Sequence, residues 1–112
     1  MMQELISVDW VDICAADDVP VGEMFSYKNE GNWIVIYHVE DGFFATNNVC
    51  PHAFALLSDG FLEDECIECP LHGALFNIKT GAVERGPAES PVKTYKVKLE
   101  GGRLYCAVPT QA

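Results

Sequence analysis

Cys50-Pro51-His52-Ala53-Phe54-Ala55-Leu56-Leu57-Ser58-Asp59-Gly60-Phe61-Leu62-Glu63-Asp64-Glu65-Cys66-Ile67-Glu68-Cys69-Pro70-Leu71-His72-Gly73 is where regular strand patterning gives way to cysteine, histidine, proline and glycine. Two short units bracket this stretch, Cys50-Pro51-His52 and Cys69-Pro70-Leu71-His72, with 16 residues between them at positions 53 to 68. Each unit offers one sulfur and one imidazole. One or two residues between donors let a turn aim them at different metal ions, and Pro51 and Pro70 stiffen both turns. Gly73, directly after His72, lets the chain bend away close to a bound group. The intervening Leu57-Ser58-Asp59-Gly60-Phe61-Leu62 contains its own turn and carries the chain from one loop to the other.

Outside this stretch the sequence reads as strands. Upstream, Trp10 to Cys14 and Met24 to Tyr27 are two strand candidates that would form an opening hairpin. Trp33 to His38 and Phe43 to Thr46 flank Asp41-Gly42, a tight-turn pair. Within the irregular region, brief candidates lie at Glu65 to Glu68, Leu75 to Ile78 and Ala82 to Glu84. Alternation returns from Val92 to Leu99, and Gly101-Gly102 turns it into a last strand, Arg103 to Val108. With 112 residues and 49% hydrophobic content, the chain can build one core and not two. The expectation is a single all-β domain over 1–112. Its basal β part is formed by about 1–46 and 92–112, and a functional subdomain at about 47–91 is inserted between them.

A 2Fe-2S cluster in which two histidines replace two cysteines on one iron needs two thiolates and two neutral imidazoles, delivered from two loops. Cys50, His52, Cys69 and His72 supply that set without remainder. The competing reading is structural zinc, because Cys66 and Cys69 form a pair two residues apart that could join Cys50 and one histidine, or both histidines. Against it, a second close pair at finger spacing is missing, and Cys66 sits in the strand-like run Glu65-Cys66-Ile67-Glu68, where a packed thiol is expected. Cys14 and Cys106 fall in the terminal strand candidates and are expected as small buried hydrophobes. His38 has no second ligand type nearby. A thiol nucleophile using a sequence-adjacent histidine seldom has catalytic geometry, and no nucleotide loop is present, which argues against an enzyme complete in itself.

Cys50-Pro51-His52, Leu57-Ser58-Asp59-Gly60, Glu68-Cys69-Pro70-Leu71-His72-Gly73 and Phe76 through Gly81 resemble the Rieske ferredoxins of bacterial aromatic-ring-hydroxylating dioxygenase systems, over nearly the whole chain. The resemblance implies three antiparallel sheets with a cluster-binding subdomain at one tip, and one Rieske 2Fe-2S cluster with its two imidazoles near solvent. Gly86-Pro87 to Pro91 resembles the family's proline-containing loop beside the cluster. As function it implies a one-electron carrier, not an enzyme, that takes electrons from a flavin-dependent ferredoxin reductase and passes them to a terminal oxygenase. A small Rieske subunit of another redox complex, such as the nitrite-reductase type, and a zinc-stabilised interaction module are the alternatives. Phe54, Pro70 and Leu71 are expected to form an apolar docking rim. The aromatic substrate cannot be read from these residues.

High-potential Rieske proteins of cytochrome complexes carry a disulfide between the two loops and hydroxyl donors after the second histidine. The matching positions here are Ala55 and Leu71, and Ala74 and Phe76. Fewer hydrogen bonds to sulfur, with Asp and Glu nearby, predict a low reduction potential.

Seven basic against seventeen acidic residues give a formal charge of -10, which repels a phosphate backbone and excludes nucleic acid as partner. The start, Met1 to Ser7, has no basic segment before an apolar core, and Trp33-Ile34-Val35-Ile36-Tyr37 is far below spanning length. No membrane partner, a cytoplasmic location and a monomer that shows its cluster to two partners in turn are therefore expected. Five cysteines, an odd number, fit a reducing compartment where thiols serve metals or packing.

Overall fold

The computed structural model describes residues 8–29, 31–51 and 54–109. The strands are β1 (Val8–Ala15), β2 (Met24–Asn29), β3 (Asn32–Val39), β4 (Gly42–Asn47), β5 (Phe61–Glu63), β6 (Cys66–Glu68), β7 (Leu75–Asn77), β8 (Val83–Arg85), β9 (Thr94–Tyr95), β10 (Val97–Glu100) and β11 (Arg103–Pro109). Single 3-10 turns sit at Ala16–Asp18 and Leu57–Asp59. The strands build three antiparallel sheets: β1-β11-β10, β2-β3-β4-β9 and β5-β6-β7-β8. The chain is all-β, as its strand patterning predicts, and its three antiparallel sheets are those that the family resemblance implies. Among the described residues no helix is long and apolar enough to cross a membrane.

β3 explains how two sheets and an inserted subdomain share one molecule. Side chains alternate across a strand. Ile34 and Ile36 therefore face one core, with Ile13, Leu104, Cys106 and Val108 of the outer sheet. Val35, Tyr37 and Val39 face a second core, with Ile67 and Phe76 of the inserted sheet and Leu57 and Ile78 of the segments beside it. A strand buried on both faces reads as a continuous apolar run, which is how Trp33 to Tyr37 reads. The inserted sheet thus rests directly on the central strand of the basal part.

Three expectations need correction. β1 does not form an opening hairpin with β2; it pairs with β11, from Val8↔Pro109 to Ala15↔Arg103. The 3-10 turn after β1 is tied to the far end of the chain by the Ala16 amide, which donates to the Gly102 carbonyl at 2.9 Å. β2 is left to pair with β3 through Asn29↔Asn32. Val92 to Leu99 is not one strand either. β9 joins the second sheet through Ala45↔Tyr95, and β10 joins the first through Val97↔Cys106. The chain changes sheet at Lys96 without losing alternation, so periodicity alone sees a single strand. β5 lies in the segment expected only to turn.

Candidate metal centre

Two hairpin tips of the same design carry the chemistry-bearing residues. The Cys50 amide donates to the Ala55 carbonyl at 2.9 Å, and the Cys69 amide donates to the Ala74 carbonyl at 2.8 Å. The residue before each cysteine faces the residue after each alanine: Val49↔Leu56 as an isolated antiparallel bridge, and Glu68↔Leu75 within β6 and β7. Each tip is therefore a six-residue loop that opens with Cys-Pro and closes with Ala. The sequence shows the repeat as Cys50-Pro51-His52-Ala53-Phe54-Ala55 and Cys69-Pro70-Leu71-His72-Gly73-Ala74. Counting only the cysteine-to-histidine spacing, which differs between the units, hides it.

Both sulfurs lie at the loop bases. Cys50 is 2% exposed and Cys69 1%, and both belong to the core that holds Val35, Leu57, Ile67 and Phe76. His72 is exposed at the tip of the second loop, with φ of +73°, followed by Gly73 at +74°. Two successive left-handed residues fold this loop back on itself, and a non-glycine residue at such φ is strained unless the surroundings hold it. His52, the remaining expected donor, lies outside the described residues. Among the described residues no three Cys, His, Asp or Glu side chains form a metal site by themselves. Two sulfurs sunk in apolar surroundings and an imidazole at an exposed tip suit a mixed sulfur–nitrogen iron centre, with thiolate on the inner side and histidine toward solvent.

The other cysteines sort themselves by strand geometry. Ile67 and Cys69 face the core, so Cys66, one position out of step on β6, points to the opposite side. It is half-buried rather than packed in the core as expected, and lines a groove with Asp64, Glu65 and Glu84. Burial first, then Glu84, Glu65, Asp64 and Glu63, push its thiol upward, which disfavours the thiolate a metal needs. Cys14 and Cys106 are buried free thiols in the basal core, as expected. His38 bonds the Val19 carbonyl through Nδ1 at 2.7 Å and stacks on Phe43, a structural role.

Several supports for the loops were not singled out from the sequence. Asn48, 1% exposed, is satisfied on every side. Its Nδ2 donates to Ser58 Oγ at 3.0 Å and Ser26 Oγ at 3.2 Å, and its Oδ1 accepts from the Ser58 amide at 2.8 Å. Its own amide donates to the Trp33 carbonyl, and its carbonyl accepts from Leu57. One buried residue, through side chain and backbone together, thereby sets the first loop against β2, β3 and the Leu57–Asp59 turn. Nearby, Thr46 Oγ1 donates its single proton to the Asn47 carbonyl, so Tyr37 donates to Thr46 in their 2.8 Å contact. Burial holds the Tyr37 phenol well above its ordinary range, the Thr46 contact partly offsetting this. Gly60 joins the two halves of the subdomain: a Cβ there would lie 2.0 Å from the Glu68 carbonyl oxygen, so only glycine lets the linker pass the second loop. Asn48, Thr46 and Tyr37 carry weak sequence signals, whereas Gly60 closes the Leu57-Ser58-Asp59-Gly60 turn that the sequence does show.

Phe54 is fully exposed and lines a groove with Pro51 on the first loop, and Pro70 and Leu71 are exposed on the second, apolar positions on a strongly acidic molecule. Lys79 ties the subdomain to the basal sheet by pairing with Asp41 of the β3–β4 turn and, at 2.9 Å, with Glu65.

Fold and site together define a small β protein with two matched hairpin tips, each carrying a buried cysteine at its base. The family described as Rieske [2Fe-2S] domain matches residues 9–96, and the chain belongs to it. It is 43% identical over 96 residues to the ferredoxin component of the naphthalene 1,2-dioxygenase/salicylate 5-hydroxylase systems of Ralstonia sp., covering 86% of this chain and 92% of that one. It is likewise 43% identical over 89 residues to the ferredoxin component of the biphenyl 2,3-dioxygenase of Rhodococcus jostii, covering 80% and 83%. Among solved structures it superposes with a TM-score of 0.85 and 34% identity on a chain of the complex of reduced oxygenase and oxidised ferredoxin in carbazole 1,9a-dioxygenase, covering 92% of this chain and 97% of that one. The chain is thus an electron-transfer protein with one Rieske 2Fe-2S cluster, not a catalytic enzyme.

Proposed function

We propose that Cys50, His52, Cys69 and His72 hold the 2Fe-2S cluster, and that the chain carries single electrons from a flavin-dependent reductase to a terminal ring-hydroxylating oxygenase. The observation that carries the ligand reading is the pair of matched loops, each with its cysteine sulfur buried at the base. When bound, the cluster supplies a site that takes up and gives back one electron. The chain's own residues decide where that happens. Cys50 and Cys69 anchor the sulfur side in the core, out of water. His72, exposed on the second loop, is on the side open to a partner. Phe54, Pro51, Pro70 and Leu71 supply a small apolar contact, the scale on which transient redox encounters dock. The acidic remainder steers the molecule toward basic partner surfaces, so turnover should weaken at high salt.

The single domain divides at about 47 and 91 into a basal β part and a cluster-binding subdomain, and the protein works as a cytoplasmic monomer. Support for the oxygenase as acceptor comes from the relative seen in complex with one.

Visible absorption and low-temperature electron paramagnetic resonance, before and after dithionite, test this reading, with Cys66→Ser alongside. The expected result is a coloured protein that bleaches and gives a rhombic signal of low average g, unchanged in Cys66→Ser. A colourless, silent protein with stoichiometric zinc overturns it, and loss of the cluster in Cys66→Ser makes Cys66 a ligand in place of one of the two loop cysteines.

A further inference from the structure

The second loop carries a brace from the neighbouring strand β8. Arg85, on β8 opposite Leu75, donates from Nε at 3.2 Å and from Nη2 at 2.9 Å to the carbonyl of Gly73. The same Nη2 lies 3.4 Å from Glu68 Oε1. Gly73 directly follows His72 and Glu68 directly precedes Cys69, so one guanidinium grips both feet of the loop that bears them. The grip falls where the backbone is least comfortable, at the two consecutive positive-φ residues His72 and Gly73. Packing here is close enough that a Cβ on Gly73 would lie 3.4 Å from the Glu68 carboxylate and 3.9 Å from Arg85 Nη2.

We propose that Arg85 is a positioning residue for the metal centre: its two-pronged bond to the Gly73 carbonyl and its pairing with Glu68 hold the second loop in the conformation that presents His72. The inference rests on the ligand reading above. A guanidinium is suited to this because its planar fork can serve one oxygen with two N–H groups while meeting a carboxylate, which an ammonium cannot do in the same geometry. Its positive charge also favours the more negative, reduced form of a nearby centre. Position and charge are separable by substitution, since Arg85→Lys keeps the charge and loses the fork, whereas Arg85→Gln loses both.

The experiment compares cluster-loaded wild type, Arg85→Gln, Arg85→Lys, Glu68→Gln and, as a neighbouring control, Glu84→Gln. It measures the rate at which visible absorbance is lost to an iron chelator, the midpoint potential, and the reduced-state resonance spectrum. Arg85→Gln should lose its cluster about tenfold faster, the equivalent of one charge-assisted bond. It should also show a lowered potential and altered g values. Arg85→Lys should keep most of the potential while sharing the altered g values and faster loss. Glu68→Gln should show a smaller change, not additive with Arg85→Gln in the double variant. If Arg85→Gln cannot be loaded, Arg85→Lys and Glu68→Gln carry the comparison. Rates, potential and g values in Arg85→Lys and Glu68→Gln that match Glu84→Gln overturn the proposal. A wild type without the Rieske signal instead defeats the ligand reading on which it rests.

Discussion

The two loops share a plan and differ in what holds them. Both begin with Cys-Pro, close with an alanine carbonyl, and sink the cysteine into one core. The first stands on an isolated bridge and is secured from below by Asn48, a buried side chain bonded to Ser26 and Ser58. The second stands on the paired strands β6 and β7 and is secured from the side by Arg85, at the surface. Matched ligands therefore do not require matched supports. A buried amide network fixes position strongly and is costly to cut, because the Ser58 amide, half-buried, loses the partner that satisfies it. An exposed guanidinium can be lost at smaller cost to folding while still disturbing the loop it grips.

The harshest way to break the comparison is at the joint that serves both loops. Gly60→Ala would drive a Cβ into the Glu68 carbonyl, and backbone cannot yield as a side chain tip can. We expect a loss of about 3 kcal/mol or more, read by denaturant unfolding, with cluster incorporation failing at both loops together. Asn48→Ala should act on the first loop alone. It strands the Ser58 amide and hydroxyl, costs about 2 to 3 kcal/mol in the same measurement, and speeds hydrogen exchange at Ser58 while leaving Cys69 protected.

The cysteines outside the loops sharpen the contrast through pH. Burial pushes the Cys106 thiol up to about 12 from its ordinary 9.0, with Cys14 adding to the shift. Above pH 9 the unfolded chain releases this proton while the folded one keeps it. Stability is thus complete below that pH and falls as pH rises toward 12, by roughly 1.4 kcal/mol per pH unit for this group. Cys106→Ala should remove that part of the slope in unfolding curves measured from pH 8.5 to 10.5.

The smallest effect on folding concerns the rim. Phe54→Ser should leave stability within about 0.5 kcal/mol yet slow electron delivery to the oxygenase about tenfold. Leu71→Ser, less exposed, should slow it less. Equal effects would mean that the partner does not favour the first loop.

Much of this was legible in the sequence. Asp41-Gly42 between apolar runs marked the β3–β4 hairpin, and the paired Cys-Pro units marked the loops, because turn chemistry and strand alternation are local signals. The pairing of β1 with β11 joins residues some hundred positions apart, and alternation carries no information on partner choice. The sheet change at Lys96 was hidden because both sheets accept the same period. Within the site, cysteine and histidine announce themselves by type. Asn48 and Arg85 do not, since an asparagine in a loop or an arginine on a short edge strand acquires its role only from what the fold brings against it.

The missing donors after His72 also bear on redox behaviour. Ala74 and Phe76 are fully buried and offer no side-chain hydrogen bond to sulfur. The midpoint should therefore lie near the negative end of the Rieske range of roughly -150 to +300 mV, and a value above about +100 mV contradicts that argument.

The central claim is that one imidazole from each loop meets the metal centre opposite the two buried sulfurs. Pulsed electron paramagnetic resonance of the reduced, histidine-15N-labelled protein tests it most directly. The account predicts couplings from two directly bound imidazole nitrogens, one of which disappears in His72→Cys while the other remains. A reduced cluster with no nitrogen coupling, or one whose couplings are untouched by His72→Cys, would contradict it.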